Sequence, residues 1–183
     1  MRCDNIITQL LDFARSSALT VKDVEFDGWL TKVLEDEVAK LPSAVTVEFN
    51  PGIPGLIATF DEARLQRAVI NLLSNASEAM VGNGHDPSKF SCANPKMIVT
   101  TVQSARGVEV AVRDNGPGIS EANMKKIMEP LFTTKNFGTG LGLPAIEKIM
   151  DLHGGGLEIV SKPGEGACFT LWLPISQVNR VAA

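Results

Sequence analysis

The stretch LIATFDEARLQRAVINLLSNASEAM, Leu56 to Met80, carries the reading of the fold. Its first five residues, Leu56 to Phe60, have the composition of a short strand. At Asp61, a residue type suited to an N-cap, the pattern changes to a helical one. Leu65, Ala68, Val69, Leu72, Leu73, Ala76 and Met80 then recur along one face. Upstream, Val45, Val47 and Phe49 alternate with polar residues as in a half-buried strand, and Asn50 to Gly55 is turn chemistry. Before that, Val21 to Phe26 is strand-like. Asp27 is expected to cap a helix that carries Leu30, Val33, Leu34, Val38 and Leu41 and stops at Pro42. Residues 4 to 18, with Ile6, Ile7, Leu10, Leu11 and Ala14 at helical spacing, read as an amphipathic helix.

Downstream, Gly82 to Pro95 is a polar loop. KMIVTTVQ and VEVAVRD, joined by Ser104 to Gly107, predict an antiparallel hairpin. Asn115 to Gly142 is irregular and glycine-punctuated around one short helix, Glu121 to Met128. A helix from Leu143 to His153 runs into three glycines, and LEIVSK and ACFTLWLP form two last strands. The order of elements predicts an α+β two-layer sandwich with a mixed, largely antiparallel sheet covered on one face by helices, plus an N-terminal helical stub. Three units are expected: residues 1–20, residues 21–175 and a tail, 176–183.

The chain has 183 residues, with 44% apolar content and a net charge of −4 from 17 basic and 21 acidic residues. This balance, without a basic block, points away from nucleic acid as a partner. No apolar run approaches the ~18 residues that suggest a membrane span. Three scattered cysteines and two histidines give neither a disulfide framework nor a thiolate or imidazole metal cage, and a reduced, cytoplasmic protein is expected.

Three constellations carry chemistry. Asn71, Asn75 and Glu78 fall at i, i+4 and i+7 and so share one helix face. They are either a solvated helix edge or a set of amide oxygens offered to a hard cation such as Mg²⁺. Asp114-Asn115-Gly116-Pro117-Gly118-Ile119 follows a strand directly. It is either a plain turn or a site where Asp114 accepts the exocyclic N–H of adenine while Gly116 and Gly118 let backbone approach the base. Gly138-Thr139-Gly140-Leu141-Gly142-Leu143-Pro144 opens a helix. Its exposed N–H groups and dipole suit phosphate, though it is neither a Walker A loop nor G-x-G-x-x-G. Between the last two, Phe132-Thr133-Thr134-Lys135 is either a surface loop or a lid whose lysine reaches a terminal phosphate. Thr170 is either a base contact or simply a strand former.

NLLSNASEA, DNGPGI, PLFTTK, GTGLGL and GEGACFTLWLP, in this order, resemble the N, G1, F, G2 and G3 boxes of the ATP-binding domain shared by sensor histidine kinases, DNA gyrase, mismatch-repair ATPases and the heat-shock chaperone ATPase. The resemblance runs from about Phe26 to Pro174 and is greatest to nitrogen-regulation-type and oxygen-sensor-type histidine kinases. It implies the Bergerat fold, with ATP and Mg²⁺ as cofactors. It implies Mg²⁺ on Asn75, adenine on Asp114, phosphates on Gly138 to Gly142, and a lid over about Ile119 to Thr139. In the hydrolysing relatives a water-activating glutamate stands four residues before the magnesium asparagine. Asn71 stands there here, and an amide is no general base. The expected reaction is therefore γ-phosphoryl transfer to another acceptor, in which positioning and charge neutralisation dominate catalysis, the alternatives being an ATP-hydrolysing conformational module or a non-catalytic nucleotide-sensing domain.

The resemblance also implies a phosphoacceptor histidine on a dimerisation domain, a response regulator receiver domain downstream, and a homodimer in the full-length protein. His85-Asp86-Pro87 lies in a loop too rich in Gly, Asn and Ser for the acceptor helix, and His153 ends a helix, so the acceptor is expected outside this chain. Residues 1–20 are expected to be the end of a dimerisation helix, and the full-length protein is compatible with a membrane anchor.

Overall fold

A computed structural model describes residues 18–180 except 83, 85, 136, 137, 175 and 177, with the backbone alone for 178–180. The amphipathic helix expected before residue 18 and the loop residue His85 lie outside the described residues.

Among the described residues, eight strands form two sheets. A five-stranded sheet has the order β2-β4-β5-β7-β6, built from Thr46–Asn50 (β2), Lys96–Gln103 (β4), Gly107–Asp114 (β5), Gly156–Ser161 (β6) and Ala167–Pro174 (β7). Its pairs are antiparallel except β2 with β4, which run parallel in the register Val47 with Met97. A parallel pair needs a crossover, which a strand and the long helix between β2 and β4 supply. A smaller antiparallel sheet, β1-β3-β8, joins Lys22–Glu25 (β1), Leu56–Phe60 (β3) and Val178–Arg180 (β8).

That second sheet is a departure from the sequence reading. Residues 176–183 read as a tail, yet Val178–Arg180 pairs with β3, Leu56 opposite Arg180. Three residues give too short a period for alternation to register, so the pairing has no signature in the chain.

Helix α1 spans Phe26–Val38, α2 Glu62–Val81, α3 Glu121–Met124 and α4 Gly142–Leu152. The expected cap of α1 is corrected. Glu25 caps it by accepting from Gly28 N at 2.6 Å, and Asp27 lies inside the first turn. Asp27 is buried and tied across the molecule, accepting from Ile53 N at 2.9 Å and from Thr101 Oγ1 at 2.6 Å. The helix also ends at Val38, short of Pro42. Phe26, Trp29 and Phe60 meet at tilted and edge-on angles with centroids 4.8 to 5.5 Å apart and hold α1 on the small sheet. The short helix expected to Met128 closes at Met124 and continues as turns.

The core lies between the five-stranded sheet and the pair α2, α4. Leu72, Leu73, Ala76 and Met80 of α2 and Ile146 and Met150 of α4 meet Met97, Val99, Val110, Val112, Phe169 and Leu171 from alternate strand positions. Helices cover this one face of the sheet, as the pattern of the chain predicts.

Candidate functional site

The site opens where three pieces of backbone converge: the C-terminal half of α2, the end of β5 and the start of α4. Asp61 caps α2, accepting from Arg64 N at 3.1 Å, and this sets which residues face the sheet. With Leu72, Leu73 and Ala76 buried, Asn71, Asn75 and Glu78 fall at the border of the buried face. They line a cavity of about 660 Å³. Among the described residues neither carboxamide makes a side-chain hydrogen bond. Buried or half-buried polar groups ordinarily have partners, so such groups facing a cavity mark a place for a ligand.

Asp114 sits at the last position of β5, 4% exposed, on the cavity wall. Its Oδ1 accepts from Gly116 N at 2.9 Å. Burial pushes its pKa up, against the opposing effect of hydrogen bonds from Gly116 and Ala167 N–H and the nearby Lys135 charge. Gly116 is forced by closeness: a Cβ there would lie 2.8 Å from Asp114 Oδ1. Gly118, at φ +69°, would press a Cβ to 2.0 Å from the Lys162 carbonyl. Ile119 N then donates to Ser161 Oγ at 2.9 Å, which leads the chain away from the sheet.

The glycine loop forms the facing wall. Gly138, Thr139, Gly140 and Gly142 line the cavity, and Gly140 adopts φ +67° against Leu131. Helix α4 starts at Gly142 with no side-chain cap, so its first N–H groups remain available to an anion. A Cβ on Gly142 would lie 3.7 Å from Asn75 Nδ2, which puts the loop's end beside the α2 carboxamide. Leu143 lines the cavity, whereas Leu141 is buried beneath the loop and does not.

Phe132, Thr133, Thr134 and Lys135 close a third side. Leu131 adopts φ +69°, rare for a branched residue, and its N–H donates to Gly140 O at 3.0 Å, which cinches this segment to the glycine loop. Lys135 Nζ lies 2.8 Å from Glu78 Oε2 and 3.4 Å from Asn75 O.

Of the residues expected at the site, Gly116, Leu141 and Thr170 do not line the cavity. On β7 Ala167 and Phe169 do, and alternation along the strand turns Thr170 to the other face of the sheet. There it lies opposite Ala111 and Glu158, on the face where Arg106 bridges Glu109 and Glu158. Sequence reasoning misses Ala167, which the β5–β7 register pairs with Asp114; no hairpin joins these two strands, so no turn in the chain signals that register. Ser74, Asn123 and Ile127 also line the cavity without a sequence signature.

The donor set suits Mg·ATP. Hard amide oxygens on α2 fit a cation that brings its own water and phosphate ligands. Among the described residues no group of three or more His, Cys, Asp or Glu side chains is arranged to hold a metal alone.

The family described as histidine kinase-, DNA gyrase B- and HSP90-like ATPases matches residues 60–177, and the chain belongs to it. Its relatives in that family include sensor histidine kinases. The sensor histidine kinase ZraS of Escherichia coli (strain K12) is 30% identical over 178 residues, covering 96% of this chain and 36% of the relative. The nucleotide-free catalytic domain of histidine kinase ThkA superposes with a TM-score of 0.68 at 29% identity, covering 85% of this chain and 96% of that one. ThkA in complex with the response regulator protein TrrA gives a TM-score of 0.74 at 25% identity over 94% of this chain and 47% of that one. The chain thus spans about a third of the length of the curated relative, 36%. The fold is that of histidine kinase catalytic domains.

Proposed function

We propose that this chain binds Mg·ATP and donates the γ-phosphoryl group to a histidine on a dimerisation domain, as the catalytic part of a two-component sensor kinase. The observation that carries this reading is the buried Asp114 at one end of a cavity whose other end is a glycine loop facing Asn75. A carboxylate accepts the amino N–H of adenine, an N–H that guanine lacks at that position. At the far end, Asn75 would hold Mg²⁺ through its amide oxygen, and the N–H groups of Gly138 to Gly142 and the start of α4 would hold phosphates. The metal supplies charge neutralisation on the transferring group.

The chain's own residues orient the nucleotide and supply no base for water. Asn71, four residues before Asn75, is an amide, and of the two carboxylates lining the cavity Asp114 accepts from Gly116 N–H at the adenine end while Glu78 is held by Ser74 Oγ. Transfer is favoured over hydrolysis on that account. Residues 21–180 form the catalytic unit in this reading, since Val178–Arg180 pairs with β3, and residues 1–20 are the end of a dimerisation helix. A response regulator receiver domain takes the phosphoryl group next, the full-length protein is a homodimer, and the catalytic unit works in the cytoplasm.

Incubation with γ-labelled ATP tests the reading. The chain alone binds nucleotide and stays unlabelled, while a supplied dimerisation domain bearing a histidine becomes labelled with acid-labile phosphate. Acid-labile label on the isolated chain, or steady phosphate release at ordinary enzyme rates, would overturn it.

A further inference from the structure

Lys135 and Glu78 form an ion pair across the cavity, 57 residues apart in the chain, at 2.8 Å. The pair is built from both sides. Ser74 Oγ, one turn earlier on α2, donates to Glu78 Oε1 at 3.1 Å and fixes the carboxylate. Lys135 N donates to Thr133 Oγ1 at 3.1 Å, a local turn that directs the lysine stem toward α2, and Nζ also donates to Asn75 O at 3.4 Å. Ser74, Asn75, Glu78, Thr133 and Lys135 all line the same cavity. The ammonium therefore rests against the helix turn that offers the Asn75 carboxamide, where a triphosphate tail would arrive.

We propose that Glu78 is a positioning residue that holds Lys135 before nucleotide binds and yields it to the terminal phosphate of ATP. The inference rests on the ATP reading above. A triphosphate carries more negative charge than one carboxylate, and a lysine has three donors on a flexible stem, so it exchanges partners without backbone rearrangement. Glu78 thereby weakens binding in two ways. It competes with phosphate for Lys135, and its own negative charge faces the incoming anion. Both weaken ATP, and both act less on ADP, which lacks the last phosphate. An ion pair of this exposure is modest, so the competition amounts to a factor of about two to five in affinity.

Calorimetric titration of Mg·ATP and Mg·ADP into wild type, Glu78→Gln, Lys135→Gln and the double variant tests the exchange. Glu78→Gln is expected to tighten ATP about two- to fivefold and leave ADP within a factor of about 1.5. Lys135→Gln should weaken ATP more than ADP, and Glu78→Gln added to it should lose the part of its effect that comes from competition for Lys135, keeping only the direct repulsion. A merely structural role moves both nucleotides together and leaves the double variant additive. Weaker or unchanged ATP binding by Glu78→Gln, equal shifts for ATP and ADP, or additivity would each overturn the proposal. Wild type that bound neither nucleotide would instead overturn the ATP reading itself.

Discussion

Two polar clusters, one buried and one half-buried around Asp114, lie at opposite ends of α2, and they are finished to different degrees. At the N-terminal end, His153, 1% exposed, closes a seam. Its Nδ1 is 2.7 Å from Ile149 O, and its Nε2 accepts from Asp61 N at 3.1 Å. This fixes the ring as the Nδ1–H tautomer, since the backbone N–H can only donate. Asp61 in turn accepts from Thr20 N at 2.9 Å and from Arg64 N at 3.1 Å. At the other end stand Asp114 and the carboxamides of Asn71 and Asn75, with the two amides lacking side-chain partners among the described residues. The seam is closed on itself and holds α4 to α2 and to the segment before β1. The cavity is left open to something from outside. Burial alone does not separate a structural polar group from a binding one; completeness of its hydrogen bonding does.

The contrast is most sharply broken at Asp114. Asp114→Asn keeps an oxygen for Gly116 N–H but offers an NH₂ to the amino group of adenine, donor against donor. ATP affinity is expected to fall about 30- to 100-fold, the cost of one unmatched buried polar contact. Burial already disfavours the Asp114 charge, so the melting temperature of the nucleotide-free variant should equal or exceed that of wild type. A variant that binds ATP normally would place adenine elsewhere.

His153→Ala tests the closed cluster. It leaves Asp61 N–H without its acceptor and a void beneath α4, for about 2 kcal/mol of lost stability by chemical denaturation, with ATP affinity little altered. The pH dependence has a definite sign. Burial holds the His153 pKa below its ordinary value, ahead of the opposing hydrogen bond to Ile149 and the Asp61 charge. The unfolded chain therefore takes up a proton first. Stability is fully present above pH about 6.5 and falls as the pH drops through that value toward the folded pKa. Asp61 acts in the same direction at lower pH: burial opposes it, but hydrogen bonds from Thr20 and Arg64 N–H and the Arg64 charge hold it below its ordinary value. His153→Ala should flatten the slope between pH 7 and pH 5 and leave the Asp61 loss below it. An unchanged slope would remove His153 from the account.

A smaller effect is expected at Asn75. Asn75→Ala should weaken ATP about tenfold with Mg²⁺ present, the loss of one metal ligand, and hardly at all when the metal is chelated. Equal loss in both conditions would make Asn75 a direct nucleotide contact. The smallest effect belongs to Thr170→Val, which should leave ATP affinity within a factor of about two, since the side chain faces away from the cavity. A larger loss would mean that the register of β7 is shifted by one residue.

What the chain discloses follows the same division. Strand β3, helix α2 and the β4–β5 hairpin are legible because period and capping repeat over many residues, and their bounds match the reading closely. The cavity residues of α2, the Asp114 turn and the glycine loop are legible because each breaks the apolar pattern of its element. Thr170 is misplaced because a motif gives spacing without facing, and only the Asp114–Ala167 register shows which β7 side chains look inward. The His153 seam is not legible at all: it joins residues 92 apart, and a lone histidine before glycines has no signature of its partner. The Glu78–Lys135 pair is hidden for the same reason.

The most direct test of the central claim is parallel calorimetry of Mg·ATP and Mg·GTP on the unmodified chain. The buried carboxylate accepts an amino N–H and repels a carbonyl oxygen, so ATP should bind and GTP should bind at least about tenfold more weakly. Equal affinity for the two, or binding of neither, would contradict the assignment of this cavity.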